Sequence, residues 1–231
     1  MKLLTTSNTK IKKGETYGYI TNGIHLSPST KSGYNTCRWS SIGCAASCLD
    51  TSGLGIMSNV QASRIKKTQF FFREKVAFMT LLLKEVRAAV KSAEKKGMIP
   101  CFRFNLTSDL PWEKIKIEGK SIMEHFPTCQ FYDYTKGVDR MSAFLAGEFP
   151  PNYHLTFSRS EDNEALVDAV LASGGNVAAV FRGLLPTTWK GKPVVSGDES
   201  DLRFLDPKGV IVGLVEKGMA KKDETGFVIE P

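Results

Sequence analysis

No stretch of this chain is apolar for long enough to cross a bilayer. The most apolar run, Val76 to Leu83, is short and has charges on both sides, whereas a spanning helix needs about 20 predominantly apolar residues. The opening MKLLTTSNTKIKKGE turns polar after two leucines and lacks the apolar core of a signal peptide. These absences argue against a membrane partner and point to the cytoplasm, where thiols stay reduced. Cysteine is scarce and odd in number: five residues suit free thiols or ligands better than a disulfide framework. No Walker loop, GxGxxG, HExxH or GxSxG occurs, so nucleotide hydrolysis and serine or zinc hydrolysis find no support. His25, His125 and His154 are scattered, and each reads as structural. No repeat, low-complexity tract or linker divides the 231 residues, so one domain spanning 1–231 is the economical reading.

What is present is a globular composition, 42% hydrophobic and 24% charged, enough to build a sizeable core. The formal charge of +7 favours phosphate-bearing or other anionic ligands. The lysines are spread in pairs such as Lys66–Lys67, Lys95–Lys96 and Lys221–Lys222. A solvated surface therefore outweighs nucleic-acid binding.

Patterning divides the chain into an N-terminal segment, 1–60, and a run of βα units, 61–231. In the first, Tyr17 to Thr21 is the clear extended piece, and Cys37 to Gly55 has no apolar period of either kind. From about Thr68 to Lys96, apolar positions recur at helical spacing, with Thr68 as N-cap and Gly97 as the stop. Strands are expected at Ile99–Asn105, Cys129–Tyr134, Tyr153–Ser158 and Val177–Phe181. Further strands are expected at Pro193–Ser196 and Val210–Val215, and helices near 121–125, 138–145 and 162–173. Such alternation predicts an α/β fold with a parallel sheet.

Two features carry chemistry. The first is Cys37-x6-Cys44-x3-Cys48, three soft thiolate donors within twelve residues. Iron–sulfur ligation, zinc with a recruited fourth ligand (His25, Cys101 or Cys129), and buried unligated thiols are the three readings, the first weighted most. Cys101 and Cys129 sit inside apolar strands and read as core. The second is the polar termini of the strands: Arg103, Asn105, Ser108 and Asp109; then Asp133 and Lys136; then Ser158 and Arg159; then Arg182. Ligands bind at the carboxyl ends of parallel strands. Arg103, Lys136, Arg159 and Arg182 would there favour a small anionic molecule or a nucleotide. Arg103 and Asn105 alternate with Phe102 and Phe104, so both are expected on one face. Ser160 is read mainly as a helix cap. The run Ser196 to Arg203 offers three carboxylates, for a metal, a ribose or an amine, or simply an acidic turn.

The segments TCRWSSIGCAASCLDTSG, RFNLTSDLPWE, FYDYTK, LTFSRSED and SGDESDLRFLD with KGVIVGL resemble a bacteriophage family of the gene product 88 type, from about Leu3 to Val228. That family is in turn distantly similar to radical-SAM proteins, which bind S-adenosylmethionine on a partial (β/α)6 barrel. The resemblance implies a four-iron, four-sulfur cluster on Cys37, Cys44 and Cys48, with S-adenosylmethionine near Asn105, Ser108 and Asp109. It implies a cytoplasmic site in the host cell and, for radical chemistry, a reductant protein. The radical-SAM spacing C-x3-C-x2-C is wider here, Ser47 replaces the aromatic before the third cysteine, and LTSD stands where a GGE-type motif would be. Cluster binding therefore carries over more directly than radical chemistry. Competing expectations are a non-catalytic cluster protein (redox sensor, regulator or structural phage component) and a zinc-stabilised nucleic-acid-binding module.

Overall fold

Short aromatic and β-branched runs, divided by amphipathic helices, assemble one large sheet. In a computed structural model that describes residues 1–7 and 9–231, the strands are β1 (Leu4–Thr5), β2 (Tyr19–Ile24), β3 (Ile99–Arg103), β4 (Gln130–Thr135) and β5 (Tyr153–Ser158). They continue with β6 (Val177–Phe181), β7 (Thr188–Trp189), β8 (Lys192–Ser196), β9 (Ile211–Val215) and β10 (Val228–Ile229). The helices are α1 (Thr9–Lys12), α2 (Ile42–Ala46), α3 (Ser58–Arg73), α4 (Lys75–Glu94), α5 (Ile122–His125), α6 (Val138–Leu145) and α7 (Glu164–Ala172).

The ten strands share one sheet in the order β1-β2-β3-β4-β5-β6-β9-β8-β7, with β10 on β6. From β2 to β8 along that path every pairing is parallel. Only β1 on β2 and β7 on β8 run antiparallel. Strands β2 to β6 are therefore neighbours in chain order, and right-handed crossovers added in one direction put their helices on one face. The core bears this out. Phe78, Leu82 and Val86 of α4, Met141 of α6 and Val167 of α7 pack with Phe102, Phe131, Leu155 and Val177 of the strands. The opposite face holds a smaller cluster of Cys101, Tyr132 and Leu202, flanked by Tyr19 and Phe204. The expected α/β class with a parallel sheet is what forms. Among the described residues no helix is long and apolar enough to cross a membrane.

Several boundaries differ from the sequence expectation. The single helix from Thr68 is two helices: α3 starts at Ser58, and the chain breaks at Glu74 (φ −131°, ψ 52°) before α4. The first turns of α3 are polar, so apolar periodicity gave no sign of them. Thr68 is not a cap but lies fully buried inside α3. Its Oγ1 donates to the Arg64 carbonyl at 2.9 Å and accepts the Ser27 N–H at 2.8 Å. Ser160 does not cap α7 either. Its N–H donates to Asn163 Oδ1 at 2.7 Å, and Asn163 is the residue before the helix. Ser121 does cap α5, closing a reciprocal box with Glu124.

Candidate functional site: the cysteine loop and the strand ends

The three cysteines lie in the first parallel connection, between β2 and α3, over the carboxyl edge of the sheet. Thr36 pins its start: its Oγ1 donates to the Ser27 carbonyl at 2.7 Å, and its own carbonyl accepts the Asp109 N–H at 2.8 Å, after β3. Cys37 follows, with its N–H on Asn35 Oδ1 at 2.9 Å and its Sγ 3.9 Å from the Thr107 carbonyl. The expected irregular loop instead contains α2, because Ser41 is an N-cap whose Oγ accepts the Cys44 N–H at 3.0 Å. Glu161, beyond β5, holds that cap from outside. Its carboxylate accepts from Ser41 Oγ at 2.7 Å and from the Gly43 N–H at 2.6 Å. Cys48 precedes a 3-10 turn, Leu49–Thr51, whose Asp50 is buried between Arg64 and Lys31.

All five cysteines are free, and Cys37, Cys44 and Cys48 are half-buried. Burial pushes the Cys37 and Cys48 thiols up, and the loop cysteines add to it: Cys44 acts on Cys37, and both Cys37 and Cys44 act on Cys48. Among the described residues, no group of three or more His, Cys, Asp or Glu side chains stands together in a form that could hold a metal ion. Cys101 is buried on the opposite face beside Thr21, and burial raises it to about 12. Cys129 is in the helix-side core. His25, just past β2, is held neutral by burial and by Arg64 (pKa about 3), and its buried Nδ1 has no hydrogen-bond partner.

The strand-end residues fall into three groups. Asn105, Ser108, Asp109 and Asp133 form a bracket on the helix side. Asp133 accepts from the Asn105 N–H at 2.8 Å, Asn105 Nδ2 at 3.3 Å and the Tyr153 hydroxyl at 2.9 Å. Asn105 Oδ1 accepts from Ser108 Oγ, the Leu110 N–H and Trp112 Nε1. Both side-chain polar atoms of Asn105 and its N–H are thus used internally. Asp109 accepts from Arg140, Thr135 and the Lys136 N–H. Burial raises Asp133 to about 7 and also raises Asp109, against the pull of Arg140.

Arg103 stands apart. It does not share a face with Asn105, because β3 ends at Arg103 and the strict alternation ends with it. Its guanidinium binds both Asp201 oxygens at 2.9 Å and lies 4.5 Å from the Tyr134 ring centroid. Asp201, from the acidic run, also accepts from the Tyr132 hydroxyl at 3.2 Å. Asp198 pairs instead with Lys217. Asp198 and Asp201 of that run thus meet different partners, and Glu199 is exposed.

The third group is Lys136, Ser158, Arg159 and Arg182. Lys136 Nζ donates to Ser158 Oγ at 2.8 Å. Arg159 donates to the carbonyls of Gly226 and Phe227. Arg182 donates to those of Lys221 and Asp223 and pairs with Glu230.

Sequence reasoning missed Arg140, Glu161 and the C-terminal segment. Arg140 left one trace, a cation on a strongly amphipathic helix whose apolar face must bury it. Nothing local marked the other two, since long-range pairing alone gives them their roles.

In comparisons with known proteins, a family model described as gene product 88 matches residues 2–231. No curated protein and no solved structure matches the chain.

Proposed function

This chain belongs to the gene product 88 family, and on that premise we propose that it is a phage-encoded iron–sulfur protein of the host cytoplasm. Cys37, Cys44 and Cys48 hold a four-iron cluster at the open edge of a partial (β/α)6 barrel of radical-SAM type. One observation carries the reading. Three free thiols sit in the first βα connection of a sheet whose parallel strands follow in chain order, over the edge where such sheets bind ligands.

Donor chemistry supports the group, although the three side chains do not stand together in a metal-holding arrangement and the loop would have to close around it. Thiolates are soft ligands that iron–sulfur clusters select. Burial and mutual repulsion, which hold Cys37 and Cys48 as thiols, reverse when a cationic centre is shared between them. Bound there, a four-iron cluster with three protein ligands supplies one-electron chemistry to a ligand such as S-adenosylmethionine at its remaining iron. The chain's own part is positional. Asp109 ties the loop at Thr36 to the ends of β3 and β4, and Lys136, Ser158, Arg159 and Arg182 receive an anionic ligand beside it.

A second reading, a cluster protein without catalysis, is favoured by the internal engagement of Arg103, Asn105, Asp109 and Asp133. The test is anaerobic purification with iron and sulfide assay, then EPR of the reduced protein with and without S-adenosylmethionine. Iron and sulfide near four each, lost in C37A, C44A and C48A, establish the cluster, and a spectrum altered by S-adenosylmethionine selects the enzyme. A cluster indifferent to it selects the second reading. Protein that takes up zinc without iron, or no metal at all, refutes both.

A further inference from the structure

Above the carboxyl end of β5, the flank of β6 is filled by the chain itself. The last two residues of β5 pair with the first two of β6, Phe157 with Val177 and Ser158 with Ala178, so β6 runs on beyond its neighbour. The other edge of β6 is taken along its whole length by β9. On the upper part of the β5 side, Val228 and Ile229 of β10 pair with Val180 and Phe181 instead. The tail therefore continues the ladder on β6 where β5 has ended, and the crevice it fills lies above the end of β5.

Its main chain is gripped from both walls. Arg159, at the end of β5, donates to the Gly226 and Phe227 carbonyls. Arg182, at the end of β6, gives its N–H to the Ile229 carbonyl at 2.9 Å and its guanidinium to two more carbonyls and to Glu230. The Phe227 ring sits 5.6 Å from Lys136 Nζ. Two arginines at the mouth of the sheet thus hold one segment, Arg159 while also pairing with Glu164, and the Glu230 carboxylate sits on Arg182 as the acidic group of a ligand would.

The same segment touches the cysteine loop. Phe227, Val228 and Ala220 form a small apolar cluster against which Cys44 packs. The approach is close enough that a Cβ on Gly43 would lie 2.1 Å from Thr225 Oγ1 and 2.7 Å from Phe227 Cβ.

We propose that residues 223–231 form an exchangeable strap, which occupies an anion-binding crevice, covers Cys44 and leaves when the anionic ligand enters. The inference rests on the anionic-ligand reading of Lys136, Ser158, Arg159 and Arg182, and not on the cluster. The strap is held by a two-residue strand, one small apolar cluster and hydrogen bonds at a solvent-facing edge, and such segments lie at the low-stability end of a fold.

The test uses the full chain, inorganic pyrophosphate as probe, and two variants. F227A/E230A removes the ring and the carboxylate together. E230A alters only an exposed side chain, so it reads out even if the double variant folds poorly. Calorimetric titration should show pyrophosphate binding at least tenfold tighter to F227A/E230A, with a smaller gain in the same direction for E230A. In the wild type, saturating pyrophosphate should speed hydrogen exchange at the Val228 and Arg182 amides while leaving β3 and β4 unchanged. Iodoacetamide should label Cys44 several-fold faster in the double variant. Equal affinities with unchanged exchange overturn the strap but leave the anion site standing. No pyrophosphate binding to any of the three proteins removes the anion site and the strap with it.

Discussion

Arg140 is a buried cation beneath the candidate site, and replacing it tests how the strand ends are held in place. It is 1% exposed and lies between two carboxylates. Its Nη1 donates to Asp109 at 2.7 Å, its Nε and Nη2 grip Glu113 at 3.0 and 2.8 Å, and Nη2 also reaches the Tyr153 hydroxyl at 3.1 Å. Arg140→Met keeps much of the apolar stem but strands Asp109 and Glu113 in a desolvated site. Breaking such a buried pair costs about 3–5 kcal/mol. At about 2–4 °C per kcal/mol for a chain of this size, the melting temperature should fall by roughly 6–20 °C.

The deficit should also depend on pH. Burial already raises Asp109 while Arg140 holds it down, so losing the arginine sends it higher. A carboxyl group with a folded pKa above its unfolded one contributes stability at low pH that is lost as pH rises through the folded value. The variant should therefore approach the wild type near pH 4 and fall furthest behind above pH 7. Urea denaturation across that range measures both effects. A deficit under about 1 kcal/mol at pH 7, or one of equal size at pH 4 and pH 8, would refute the claim that Arg140 neutralises buried charge.

Asp133, raised by burial to about 7, obeys the same sign. The stability it contributes is present below about pH 4 and lost as pH rises toward and past 7, by about 4 kcal/mol in all. Asp133→Asn should flatten the urea-midpoint profile across that window. Gly43→Ala should cost about 1–3 kcal/mol through overpacking against the tail and should loosen residues 225–229 before it loosens the sheet. Hydrogen exchange resolved by segment checks the order.

The parallel strands were legible because each is a short apolar run that ends in polar groups, and length and β-branching separate such runs from helices. Tyr153–Ser158 and Val177–Phe181 fall where patterning puts them. β10 was not legible: two residues carry no period, and only a gap above Ser158 and Ala178 makes them a strand. The polar start of α3 hid its first ten residues, since α3 buries Arg64 beside Asp50 rather than an apolar stripe. At the site, residue type showed which side chains bear charge but not which partners they meet. Arg103 and Arg159 read alike in sequence, yet one is locked to Asp201 beneath the sheet and the other holds a stretch of main chain. Asn105 likewise reads as ligand-directed, but its fit against Trp112 and Asp133 depends on a turn that closes five residues later.

Chain order along the sheet has a consequence for how the protein is made. Strands β2 to β6 are neighbours in the order of synthesis, so each one leaving the ribosome meets a partner already in place, and assembly can proceed from the amino end. β10 breaks that rule, since it returns to β6 only after β7, β8 and β9 have been laid down. Until then the upper flank of β6 has no strand on its β5 side, and the apolar cluster against which Cys44 packs is incomplete. The pairing of β10 with β6 is thus the last pairing of the sheet that synthesis makes possible.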